Sequence, residues 1–376
     1  MKKLLLLSLV FLFQLSCAHT PPEISDGYVT SVGTGKDKIK VVVVKGTPYE
    51  MGVQLGVLLK DDIKPTLNNF FKATQKKVPK LPVKKILDKA WKINSKYIDK
   101  RVLNEMKGVA DGSGVSLKLL HRCHMIPVVS PHACSGVAVW GDSTKNNHTY
   151  QIRNLDYSVT SKLQEHPVVV IYIPTNGTPH ANITFAGYIA SHTGINANHI
   201  VLGEKGQSPK KEFPYDLNGT HFSFLFRTLE YDAKTLDGAL ETIKTTPLIK
   251  RYFLYISDGN EKTMGAAKIR VSTPDPVKLT IWKDNDPTDN VAPNTFSNCV
   301  YQTMKNDKAS EFIKKNIGNF DEKYMIELSR IVAAKHNLMN VVYDATTLEM
   351  WIAFADGLTN ASEQNYVYLN MNDYLK

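Results

Sequence analysis

Apolar and polar positions follow two different periods along this chain, and the change falls near residue 134. Upstream, KIKVVVVKGTPYEMGVQLGVLLKDDI reads as a short β run, a Gly-Thr-Pro turn and an amphipathic helix from about Tyr49. From Pro65 to about Val128 apolar residues recur at spacings of three and four, as in ILDKAWKINSKYIDKRVLNEMKGVADG, which predicts a largely helical stretch. Gly112 and Gly114 interrupt it, and SLKLLHRCHMI starts another helix with Ser116 as its N-cap. Downstream, SGVAVWG, HTYQIRNLD, PVVVIYIP, ANITFAGY and HIVLG are short β-type runs separated by turn residues. A helical block, FSFLFRTLEYDAKTLDGALETIKTT, precedes two strands, KRYFLYISD and TMGAAKIRVS, joined at Gly259 and Asn260, and then LTIW. Helices over 309–316 and 322–334 and a final β pair, LMNVVYDATTLEMWIAFA, complete the pattern. Strands and helices fall in separate blocks without βαβ alternation, which predicts an α+β fold with a mainly antiparallel sheet.

Composition fits a folded protein: 43% hydrophobic and 22% charged residues over 376 positions, enough for one large domain or two ordinary ones. The N-terminus, MKKLLLLSLVFLFQLSCAHT, has a basic start, a short apolar run and small residues, the form of a secretory signal peptide over 1–18. Cys17 as a lipidated lipoprotein cysteine is the minor alternative, because Gln14 and Leu15 fit that signal poorly. No segment is long and apolar enough to predict a spanning helix. The expected location is therefore secreted or lysosomal. Asn-x-Ser/Thr sequons at Asn147, Asn176, Asn182, Asn218 and Asn360 are glycosylation candidates in that setting. The net charge of +10 is densest over residues 72–101, read as a solvated lysine-coated helical face, with contact to anionic lipid as the sharper alternative. The sequence holds no nucleic-acid-binding module.

Several motifs are excluded by spacing. VGTGKDK lacks the GxxxxGK[ST] pattern and reads as a turn, and there is no GxSxG. His121, Cys123, His124, His132 and Cys134 are dense in zinc-type ligands, yet match no standard ligand framework, so no metal and no cofactor is expected. With Cys17 removed, Cys123, Cys134 and Cys299 remain, an odd number in an oxidising compartment. One thiol is then free for chemistry, and Cys123 with Cys299 is the candidate disulfide.

Cys134 opens a β run that turns near residues 142–147 and returns toward Asp156. A hairpin folded about that turn brings Arg153 and Asp156 back opposite Cys134. A guanidinium beside a thiol favours the thiolate. If the Ala133–Cys134 bond is cut, the new α-amine supplies a base of pKa about 8 on the same residue as the nucleophile. Arg153 and Asp156 are three apart, so a regular strand points them to opposite faces, and bringing both to one side requires a bulge or strand end near Asn154. The spacing makes a nucleophile physically sensible and leaves an ordinary buried cysteine equally open.

At these residues the chain resembles the N-terminal-nucleophile hydrolases that include isopenicillin N acyltransferase (peptidase family C45), choloylglycine hydrolase and acid ceramidase. The resemblance runs over most of the mature chain and is nearest the acyltransferase branch. GTPYEMGVQLG (46–56), NEMKGVADGSGVS (104–116), Cys134 to Asp156, GINANHIVLGEKG (194–206) and VVYDATTLEMWIAFAD each resemble family segments in the same order. The resemblance implies a four-layer αββα sandwich, with residues 19–133 as a helical pro-segment or small chain and 134–376 as the catalytic large chain. It implies autocatalytic cleavage between Ala133 and Cys134, with the two chains remaining associated. Cys134 matches the nucleophile, Arg153 the arginine near the thiol, Asp156 the aspartate near the new amine, and Asn294 the asparagine that contacts substrate or oxyanion. Asn196 fits a structural role in its Gly-x-Asn turn. Where choloylglycine hydrolases place an oxyanion asparagine, this chain has Gly206, which weakens a bile-salt expectation. The expected activity is amide hydrolysis of a small N-acyl substrate, lipid-like and ceramide-type ones included. Acyl transfer to an amine is the alternative, and a non-catalytic or metal-binding secreted protein on the same scaffold is the competing class.

Overall fold

The computed structural model describes residues 26–130, 133–206, 216–272, 278–292, 294–302 and 308–375. The expected signal peptide and His132 lie outside them. Two sheets form the centre. The larger begins with β1 (Tyr28–Val32) against β2 (Ile39–Gly46) and continues through β5 (Pro167–Pro174), β6 (His180–Phe185), β7 (Gly194–Asn196), β8 (Ile200–Gly206), β9 (Tyr252–Asp258), β10 (Gly265–Ser272) and β11 (Lys278–Trp282). β2 and β5 run parallel, and the other pairs are antiparallel. Val41 to Val44 have no exposed surface, which explains a continuous apolar run rather than an alternating one. The smaller sheet has the order β12 (Cys299–Tyr301), β3 (Ala133–Val139), β4 (Tyr150–Asp156), β13 (Met339–Asp344), β14 (Glu349–Phe354) and β15 (Val367–Asn370), all antiparallel.

Helices cover both outer faces. α1 (Pro48–Leu58) starts at a Thr47/Glu50 capping box with Pro48 in its first turn. It packs with α2 (Lys60–Lys77), α3 (Val83–Asn94), α4 (Lys100–Ser113) and α5 (Leu117–Val129) into one core with the valines of β2 and β5. α6 (Phe222–Asp232) and α7 (Leu236–Thr245) bury Phe222, Leu225, Leu240 and Ile243 on Leu202, Leu254, Ile256 and Ile269 of the large sheet. α8 (Lys308–Asn316) and α9 (Glu322–Val332) place Ile313, Met325 and Leu328 on Val137, Val139 and Ile152 of the small sheet. Between the sheets lie Ala138, Phe253, Tyr255, Ala266 and Val300. The layering is αββα, as expected.

The segment before Cys134 carries α1–α5, and its short β run forms β2 of the large sheet with β1 beside it. Two findings revise the sequence-based picture. Cys123 and Cys299 are free thiols, so the candidate disulfide is absent. Cys123 donates to the Leu67 carbonyl within the N-terminal helices, whereas Cys299 is packed in the separate α8–α9 cluster. Asn182, proposed as a glycan site, is fully buried in β6, where a glycan has no room, whereas Asn147, Asn176 and Asn218 are exposed and Asn360 is half-buried. No helix among the described residues is long and apolar enough to cross a membrane.

Candidate active site

The register of β3 against β4 builds the site. Cys134 stands across from Leu155, Gly136 across from Arg153, and Ala133 across from Asp156. Side chains alternate along a strand, so Cys134, Gly136, Leu155 and Arg153 share the face toward the large sheet, while Ser135, Asn154 and Asp156 share the opposite face. Of the bulge or strand end expected near Asn154, no bulge is present: the ladder is regular through Asn154, and the strand ends two residues on, at Asp156. The two functional groups approach Cys134 from opposite sides of one strand.

On the inner side, Arg153 Nη2 donates to Cys134 Sγ at 3.1 Å, and both residues are buried. Glu204 of β8, fully buried, places its carboxylate 3.7 Å from the same guanidinium nitrogen. Two glycines admit the side chains around this pair, Gly203 those of Gln151 and Arg153 and Gly136 the Tyr255 ring. A Cβ on Gly203 would sit 2.9 Å from Gln151 Nε2 and 3.3 Å from Arg153 Cγ, and one on Gly136 would meet the Tyr255 ring at 2.7 Å. Burial pushes the Cys134 thiol well above its usual range; Arg153 pulls it down, and the Glu204 and Asp156 charges push it further up.

On the outer side, Asp156 accepts from Ser135 Oγ at 3.1 Å, from the Ala334 backbone N–H at 3.1 Å and from Asn337 Nδ2 at 3.0 Å. Its pKa is pushed up to about 6, by burial against the pull of those hydrogen bonds and of Arg153. Ala133, directly across from it, is exposed, whereas Cys134 is only 3% exposed. The junction between them is thus a reachable peptide bond one residue from a held carboxylate.

Leu155, Cys134's cross-strand partner, lines an apolar cavity of about 20 Å³ with Phe70, Tyr157, Leu163, Phe185 and Tyr188. Pro127, Ser130 and His192 complete the wall.

Other expected residues sit elsewhere. Asn294 is exposed, with its amide donating to Ser310 Oγ of α8 at 2.8 Å and its backbone N–H to the Tyr301 hydroxyl. That is the α8–α9 side of the small sheet, so Asn294 is not brought to the thiol. Asn196 holds its turn as expected: Oδ1 accepts from the N–H groups of Asn198 and Ile200, and Nδ2 donates to the Ala233 carbonyl. Gly206 pairs with Tyr252 at the end of β8. His124 is a satisfied core residue, with Nδ1 on the Leu120 carbonyl, Nε2 accepting from the Ile189 N–H and its ring stacked on Tyr188 at 4.7 Å. His121 stacks on Trp91 at 3.6 Å. Glu204 was not found by sequence reasoning; its one local signal is an acidic residue inside the apolar run IVLGEKG.

No family model matches the chain. It is 28% identical to protein dcd1A of Dictyostelium discoideum over 64% of this chain and 61% of the relative, and 25% identical to protein dcd1B of the same organism over 72% and 57%. The chain thus spans about three-fifths of the length of these curated relatives. Among solved structures, the Caenorhabditis elegans ortholog of N-acylethanolamine-hydrolyzing acid amidase is 18% identical with a TM-score of 0.43, covering 62% of this chain and 99% of its own. Penicillin V acylase from Agrobacterium tumefaciens is 11% identical with a TM-score of 0.41, covering 65% and 88%. These likenesses are distant, and the chemistry rests on the geometry around Cys134.

Proposed function

We propose that this protein is a self-processing cysteine amidohydrolase of the N-terminal-nucleophile class, acting on small N-acyl amides with an apolar acyl part. The observation that carries the reading is a buried guanidinium 3.1 Å from a thiol at the second residue of a strand. Activation is a rearrangement at Ala133–Cys134. Sγ attacks the Ala133 carbonyl carbon, the C–N bond breaks, and the thiol proton passes to the Cys134 nitrogen as a thioester forms. Water then hydrolyses the thioester, releasing the Ala133 carboxyl and restoring the thiol.

The freed α-amine takes the thiol proton, and Arg153 stabilises the resulting thiolate. Asp156, across from Ala133, is placed to hold the ammonium. The thiolate attacks the substrate carbonyl, the leaving amine takes the proton, and water resolves the acyl-thioester. The cavity beside Leu155 suits the acyl part. With only about 20 Å³ free, an acyl chain must spread Phe70 and Leu163 as it enters.

Association of the two chains needs no disulfide. β2 is paired along its length with β5, and Arg227 of α6 donates to Glu105 of α4 at 2.7 Å, both fully buried. The lysines of α2 and α3, with exposed Val78, Leu81 and Ile86 among them, suit contact with an anionic lipid surface in a secretory or lysosomal setting. The test is amine release from acetyl, octanoyl and palmitoyl amides. Turnover by the wild type that rises with acyl length and is lost in Cys134→Ala supports the reading; equal turnover by Cys134→Ala overturns it.

A further inference from the structure

Lys250 precedes β9 and takes no part in the steps above. Its side chain is fully buried, and its ammonium donates to the carbonyls of Pro127 at 3.0 Å and Ser130 at 2.8 Å. Its own backbone is left-handed, with φ of 66°. Both features are costly for lysine, since a buried ammonium gives up its hydration and a non-glycine residue in this region is sterically strained. A helix C-terminus such as that of α5 is satisfied more cheaply by a glycine or a solvated cation. The arrangement therefore asks for a further reason.

That reason lies in what the ammonium connects. Lys250 belongs to the part of the chain after the scissile bond, and the two carbonyls belong to the end of α5 before it. Ser130 is three residues upstream of Ala133 and is tied back by its hydroxyl to the Ile126 carbonyl at 2.6 Å. The residues of the bond itself are held separately, by the pairing of Ala133 with Asp156 and of Cys134 with Leu155.

We propose that Lys250 is a positioning residue for self-cleavage: it anchors the chain upstream of the Ala133–Cys134 bond so that the Ala133 carbonyl is presented to Cys134 Sγ. This rests on the self-processing reading above. Attack by Sγ on the adjoining carbonyl closes a five-membered ring; the ladder holds Ala133 and Cys134 against β4, and the Lys250 contacts hold the end of α5 three residues further upstream. Lys250 exchanges no proton and forms no covalent bond; it restricts geometry, and a misplacement of about 1 Å in such a step costs on the order of 10²-fold in rate.

The experiment follows cleavage of pulse-labelled full-length chains by gel and intact mass for the wild type, Lys250→Met and Lys250→Arg. The thermal midpoint of each Lys250 variant is measured in a Cys134→Ala background, which cannot cleave. Lys250→Met should slow cleavage on the order of 10²-fold while its uncut chain still melts cooperatively above the assay temperature, and Lys250→Arg should restore most of the rate. Wild-type cleavage rates in Lys250→Met would overturn the proposal, as would a slowing that only tracks the unfolded fraction and that arginine does not relieve. A wild-type chain that never cleaves defeats the self-processing reading itself, an outcome distinct from a cleaving wild type matched by Lys250→Met.

Discussion

Asp156→Asn removes a charge while keeping every contact. Asp156 Oδ1 accepts from Ala334 and Asn337, and Oδ2 accepts from the Ser135 hydroxyl. An asparagine keeps the first two bonds through its carbonyl, and its amide donates to Ser135 Oγ, which rotates to accept. Burial raises the carboxyl from 3.8 to about 6. A raised pKa means the folded chain holds the proton more tightly than the unfolded chain. The stabilisation is then fully present below about pH 3.8 and is lost as pH rises through about 6. That gap corresponds to about 3 kcal/mol. In the uncut Cys134→Ala background, urea unfolding should show the Asp156 chain losing about 2 kcal/mol relative to D156N between pH 4 and pH 7, the rest of the loss falling outside that window. In the otherwise wild-type chain the same substitution should lower amide turnover above pH 6, because the α-amine loses its counter-charge. Stability profiles that stay parallel across this window would refute the burial argument.

Two other substitutions probe the inner side. Arg153→Met leaves Glu204 buried without its cationic neighbour and should cost about 3–5 kcal/mol in urea unfolding, most of it recovered in Arg153→Met/Glu204→Gln. No recovery in the double variant would show that the two do not act as a pair. Leu163→Trp fills the cavity beside Leu155 and should lower kcat/KM for octanoyl amides about tenfold more than for acetyl amides. An unchanged chain-length preference would place the acyl part elsewhere.

The α+β class and the hairpin were legible in the sequence because both are local patterns, whereas the four-layer arrangement came from the family resemblance. The change from helical to strand period near Cys134, and the turn between the two runs, bring Arg153 back to the thiol without knowledge of any other element. What failed was non-local. Glu204 reaches Arg153 from a different sheet, and no spacing argument connects residues 153 and 204. Cysteine parity says nothing about which thiols are neighbours, so Cys123 and Cys299 were paired although they lie in separate cores. Asn294 was placed by resemblance alone, and the chain carries it to α8 instead. The expected bulge or strand end came from requiring one face for both groups, when a thiol near the start of a strand can be served from both. β1, β12 and β15 escaped notice because β1 is mostly exposed and the other two are three and four residues long.

The central claim is that Cys134 becomes an N-terminus. Intact-mass analysis of the purified mature wild type, beside Cys134→Ala, tests it directly. The account predicts two co-purifying chains from the wild type, the larger one starting at Cys134, and a single uncut chain from Cys134→Ala. A single wild-type chain that remains whole at acidic and neutral pH while turning over N-acyl amides would contradict it.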